Sequence, residues 1–167
     1  KNTGINIGKS VCDDGYKDLV GEILEKSKVH NCSIYYPLDV VVSKELNGNG
    51  TIKEINKIDN DDMILDIGPK TIASIKNIVN NSNTVLWNGP AGYFENPNFA
   101  NGTKQILEII ANKRSKDKIY AVAGGGETVA VINKFNKLDS FDFVSTAGGA
   151  FLEYLEGKKL PGIKALN

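Results

Sequence analysis

The chain holds little of what many catalytic centres are made from. Among 167 residues there is one histidine, His30, one arginine, Arg114, and two cysteines, Cys12 and Cys32. A lone histidine after a charged helix reads as a surface residue, so histidine-based acid–base or nucleophilic chemistry has little support. The two cysteines make neither a disulfide framework nor a metal spacing, which suits a reduced compartment and a cytoplasmic protein. An excess of charge is missing too, with 20 basic residues against 20 acidic ones. Nucleic-acid or membrane-surface binding through bulk electrostatics is therefore disfavoured. No apolar run approaches the roughly 20 residues that span a bilayer, and no leader pattern is visible. The opening Lys1-Asn2-Thr3-Gly4 has neither Met nor cap and reads as a chain entered in the middle. Neither GxxxxGK[ST] nor a complete GxGxxG occurs, so the P-loop and dinucleotide fingerprints are both absent. Scarce arginine beside abundant Asn, Lys and Ile is a genomic bias. The Asn-x-Ser/Thr matches at Asn31, Asn49, Asn80 and Asn101 are chance products of it.

What the chain does have is a globular balance, 41% hydrophobic and 24% charged, enough for one domain with a sizeable core. Leu19, Val20, Ile23 and Leu24 predict a helix over 16–29, with Asp13-Asp14 as its cap. Short strands are expected at Ser33–Tyr36, Val40–Val42 and Thr51–Ile55. From Met63 the order becomes regular. Strands at 63–67, 84–87, 119–123 and 141–144 alternate with helices at 71–79, 103–113, 127–135 and 149–155. Such alternation predicts βαβ units: an α/β fold of three layers, doubly wound, its sheet mostly parallel with helices on both faces, Rossmann-like.

Three turns stand between a strand-like and a helix-like run: Trp87 to Gly92, Ala123 to Thr128, and Ser145 to Ala150. In an open α/β sheet that edge is where ligands bind. Gly124-Gly125-Gly126 lets the backbone approach a phosphate, and a helix start offers free N–H groups. Glu127 beside a polyphosphate implies an intervening cation, hence a metal–nucleotide complex. The plainer alternative makes the triplet a tight turn and Glu127 a complement to the helix dipole. Gly148 and Gly149 repeat the pattern. Asp66 suits either a helix cap or a ligand contact, Glu95 either solvent or ribose hydroxyls. Trp87 and Tyr35-Tyr36 read as packing, and Lys158-Lys159 as a solvated pair.

Taken together, these segments resemble phosphoglycerate kinase. The resemblance rests on Asn6–Ser10, Tyr36–Val42, Met63–Thr71, Trp87–Glu95, Gly124–Thr128, Ser145–Glu153 and Lys158–Leu166, in order over essentially the whole chain. It implies a glycolytic transferase moving a phosphoryl group between 1,3-bisphosphoglycerate and ADP, with ATP/ADP and Mg2+ as nucleotide and metal. It implies two domains joined by a hinge, residues 1–167 being most of the C-terminal nucleotide-binding domain. The N-terminal phosphoglycerate-binding domain would lie outside this sequence, and the full-length enzyme would be a monomer.

Carried over by motif, Asn88, Pro90 and Tyr93 line the adenosine pocket, Glu95 holds the ribose, and Met63, Ile64 and Leu65 border the adenine. Gly125, Gly126 and Thr128 meet the phosphates, with Glu127 at the metal position. Gly125, Gly148 and Gly149 are the catalytic backbone positions, the last two presenting amides to the phosphoryl group in flight. Three departures stand out: Glu127 where the family usually has Asp, Ile64 where Gly is usual, and Ala147 in place of a glycine. A non-catalytic nucleotide-binding module is the competing reading. A Rossmann-like oxidoreductase is disfavoured by the missing GxGxxG.

Overall fold

The computed structural model describes residues 1, 3–117 and 119–166, excluding the side chains of Asp14 and Asp117. The chain forms two compact units: Lys1–Ser74 with Gly92–Gly102, and Ile75–Ala91 with Thr103–Asn167.

In the first unit, α1 (Lys17–Val29) follows a 3-10 turn at Asp14–Tyr16. Asp13 caps that turn, accepting from Gly15 N–H at 3.0 Å. The expected strand at Ser33–Tyr36 does not form. Tyr35 and Tyr36 are exposed there, and among the described residues no strand pairs with them. β1 (Asp39–Ser43), β2 (Thr51–Glu54) and β3 (Met63–Ile67) make a sheet in the order β2-β1-β3. Both pairings are antiparallel, so β3 does not open a parallel series as its apolar run suggests. Val40, Val42 and Ile58 are buried together, with Ile55 and Ile64 packed against them. α2 (Pro69–Asn80) starts in this unit. Its first turn is capped by buried Asp39, whose carboxylate accepts from Lys70 N–H at 3.0 Å and Thr71 N–H at 2.8 Å. The Thr71 hydroxyl answers by accepting from Leu38 N–H at 2.9 Å. Burial pushes the Asp39 carboxyl upward, but those donors outweigh it and hold the group below its ordinary value of 3.8.

In the second unit, β4 (Thr84–Asn88), β5 (Tyr120–Gly124) and β6 (Phe143–Ser145) form a sheet in the order β4-β5-β6, parallel throughout. The expected α/β class therefore holds, with its parallel sheet made by these three strands. α3 (Asn101–Asp117) enters this unit at Thr103, and α4 (Gly126–Lys134) follows β5. α5 (Gly149–Leu155) follows β6, and a short α6 (Pro161–Lys164) opens on a proline. α6 was not expected from the sequence.

Thr103, Leu107 and Ile110 form the buried stripe of α3, and Thr128, Val131 and Ile132 that of α4. Full burial of each such Leu, Ile or Val contributes about 1.5–3 kcal/mol, more than any helix propensity on these segments. Trp87 stacks on Phe141 with ring centroids 6.1 Å apart. Phe141, expected to start the last strand, lies instead beneath that ring, and β6 begins two residues later. Arg114, the sole arginine, makes a fork on Asp142 at 3.0 and 2.6 Å, and Asp142 also accepts from Ala121 N–H at 2.7 Å. The one arginine of the sequence is thus a structural tie in the fold.

Candidate functional site

Because β4, β5 and β6 are adjacent and parallel, their three following turns leave the same edge of the sheet. The register sets Asn88 level with Gly124, and Gly124 level with Ser145. Each turn then takes a backbone conformation that L side chains rarely adopt: φ is +110° at Gly89, +90° at Gly125 and +55° at Gly148. Without Cβ atoms these residues reverse the chain at about 1–2 kcal/mol less cost than any other residue.

The three turns differ in what their amides do. Gly126, Glu127 and Thr128 form the first turn of α4, and their N–H groups have no partner among the described residues. The same is true of Gly148 and Gly149. These are the donors a helix start or a glycine turn leaves for an anion. A Cβ on Gly126, Gly148 or Gly149 would meet nothing within 4 Å, so the backbone there is open.

The first turn is different, because its amides are engaged within the protein. Gly89 N–H donates to the Thr128 hydroxyl at 2.6 Å, and Ala91 N–H to the Thr103 hydroxyl at 3.0 Å. Pro90 between them has no N–H. Every donor from Gly89 to Ala91 is therefore satisfied or absent, and this turn presents side chains and carbonyls instead. Asn88 is exposed, and its amide oxygen would lie 2.6 Å from a Cβ on Gly125. Thr128 was expected to meet phosphates. Its side chain is fully buried, and the hydroxyl is engaged with the neighbouring turn.

Glu127 is exposed at the start of α4. Among the described residues the one grouping of three ligating carboxylates is Asp59, Asp61 and Asp62, in the first unit. Lys53 already bridges Asp59 and Asp62 at 2.7 and 2.6 Å, and Lys44 holds Asp61 at 2.6 Å. Ala147 keeps an ordinary φ, so its extra Cβ brings no strain; its N–H donates to Ser145 Oγ at 3.3 Å.

Ile64, Tyr93 and Glu95 belong to the first unit. Ile64 turns into the Val40–Val42–Ile58 cluster, while Tyr93 and Glu95 are exposed. Tyr93 N–H donates to Leu65 carbonyl oxygen at 2.8 Å, anchoring the loop on β3. Asp66, beside it, takes the capping role. It is 2% exposed and accepts from Gly102 N–H at 2.7 Å and Ile67 N–H at 2.8 Å, holding the start of α3. Burial drives this carboxyl above 3.8, and the backbone donors of Gly102, Ile67 and Asn101 only partly offset the rise.

Sequence reasoning placed Thr128 at the phosphates but missed its hydroxyl's tie to Gly89, and missed Thr103 altogether. Each sits three residues into its helix, at the position where the buried stripe would continue. A hydroxyl placed on an apolar stripe next to a glycine turn was the available signal.

A parallel sheet with positive-φ glycine turns at its carboxyl edge, and bare amides on two of them, defines an α/β protein whose free donors suit an anion. The family model described as phosphoglycerate kinase matches residues 1–158. The phosphoglycerate kinase of Francisella philomiragia is 47% identical over 99% of this chain, which spans 42% of that protein. That of Zymomonas mobilis is 44% identical over 98% of the chain and likewise 42% of its own length. The solved Coxiella burnetii phosphoglycerate kinase superimposes with a TM-score of 0.90 at 40% identity, covering 99% of this chain and 42% of that one. The Pyrococcus horikoshii enzyme gives 0.72 at 25% identity, over 99% and 41%. The chain belongs to the phosphoglycerate kinase family. It spans less than half the length of these relatives.

Proposed function

We propose that the polypeptide carrying this chain is a phosphoglycerate kinase, moving a phosphoryl group between 1,3-bisphosphoglycerate and ADP to give 3-phosphoglycerate and ATP. The observation that carries the proposal is the set of unpartnered amides at Gly126, Glu127, Thr128, Gly148 and Gly149 on one sheet edge of a chain in this family. Phosphoryl transfer needs little covalent help from a protein. It needs in-line positioning and donors aimed at developing charge, and fixed backbone amides supply both.

In this reading Gly125, Gly126 and the amide of Thr128 hold the nucleotide phosphates, and Gly148 and Gly149 present N–H groups to the transferring phosphoryl. Asn88 and Pro90 take the adenosine side, and the resemblance assigns Tyr93 to the adenosine, Glu95 to the ribose and Ile64 to the adenine. An exposed carboxylate beside bare amides suits Mg2+, which is commonly held by one or two carboxylates together with substrate phosphates, so Glu127 is the proposed ligand. When bound, Mg2+ neutralises charge on the phosphate oxygens. Residues 1–167 are the nucleotide side of the enzyme, and phosphoglycerate binds to a part outside them. The enzyme is cytoplasmic and monomeric; no helix among the described residues is long and apolar enough to cross a membrane.

A coupled assay of the complete gene product beside residues 1–167 tests this. Glycerate-dependent ATP formation by the complete product is expected, with none by the shorter chain. MgADP binding without transfer by the complete product would replace the kinase with a non-catalytic nucleotide module.

A further inference from the structure

We infer that Thr128 and Thr103 are positioning residues for the Asn88–Ala91 turn, acting through its backbone and not through contact with phosphate. This rests on the nucleotide reading of the same sheet edge. Both threonines are fully buried, and both occupy the third position of a helix, on the stripe that faces the core. A buried hydroxyl is costly unless hydrogen-bonded, and both oxygens are, to the amides flanking Pro90. The turn is therefore suspended from α4 at Gly89 and from α3 at Ala91. Pro90 fixes φ between the two pegs. Asn88, just before the first peg, faces Gly125, so an error in the turn is passed to the start of α4. Thr128 is fully buried, with its hydroxyl oxygen turned to Gly89, so the side chain is not presented to a ligand at the surface of the turn. Its contribution to the ligand comes through its own N–H and through the turn it holds.

Thr128→Val and Thr103→Val keep the shape and remove the acceptor, and Thr128→Ser restores it. In the complete protein, hydrogen exchange at the Gly89 amide is measured without nucleotide, and MgADP affinity by calorimetry. Thr128→Val should accelerate Gly89 exchange and weaken MgADP about fivefold, the loss of one ordinary hydrogen bond, with kcat falling less than the nucleotide KM rises. Thr128→Ser should restore both, and Thr103→Val should release Ala91 in the same way. Unchanged Gly89 exchange in Thr128→Val would overturn the inference. So would faster exchange with full MgADP affinity. A wild-type protein that protects Gly89 yet binds no MgADP would overturn the nucleotide reading instead, and the two failures are told apart by the exchange data.

Discussion

Two buried carboxylates, Asp39 and Asp66, do the same job with opposite electrostatic outcomes. Each accepts backbone N–H groups at the start of a helix, α2 and α3 respectively. Asp39 gains a hydroxyl and the nearby Lys70 charge as well, and its pKa falls; Asp66 lacks both, burial dominates, and its pKa rises. The signs follow from linkage. Asp39 contributes stability above its unfolded pKa, and that contribution is lost as pH falls through its lower folded value. Asp66 binds its proton more tightly when folded, so its contribution is fully present below the unfolded pKa and lost as pH rises through the raised one. Replacing Asp39 with Asn should cost about 2 kcal/mol at neutral pH and flatten the rise of stability with pH in the acid range. Asp66→Asn should steepen that rise. Denaturant unfolding as a function of pH measures both slopes, and a change of the same sense in the two variants would contradict the account.

At the scale of elements, the glycine turns carry the argument, and they are not equivalent. Gly125 has a positive φ and faces Asn88, so Gly125→Ala strains the backbone and drives a Cβ against that amide oxygen. The expected cost is about 1–2 kcal/mol in stability, together with loss of MgADP affinity. Gly149 has an ordinary φ and open space. Gly149→Ala should leave the melting temperature within about 2 °C of wild type while lowering kcat. Equal melting losses in the two variants would show that both glycines serve packing alone.

The glycine turns were legible because a triplet between an apolar run and a helical run has few other uses. The helices α1 to α5 were legible from spacing, to within a few residues at their ends. Strand direction was not. Val40–Val42 is a continuous apolar run and Met63–Ile67 is apolar but for Asp66, and both fit a parallel or an antiparallel neighbour equally well. The choice is made by long-range pairing, such as Val40 with Ile67, and by the tie from Gly68 N–H to the Asp39 carbonyl. Ser33–Tyr36 failed for the converse reason: β propensity without a partner strand leaves backbone groups to water. At the site, the donors on α4 and near Gly148 could be anticipated. The silence of the first turn could not, because it depends on two threonines distant in sequence.

For the molecule as a whole, zero net charge and the proposed phosphate site are compatible, because oriented amides attract an anion without any surplus of basic residues. The family match extends along residues 1–158, so the relatives' resemblance is not confined to the turns. The central claim is that bare amides at the ends of β5 and β6 receive the phosphates. Backbone amide NMR of the complete protein, titrated with MgADP and then MgATP, tests it most directly. The Gly126, Glu127 and Thr128 resonances are predicted to move on adding MgADP, and those of Gly148 and Gly149 to respond further to MgATP. Saturable nucleotide binding that leaves all of these resonances in place would contradict it.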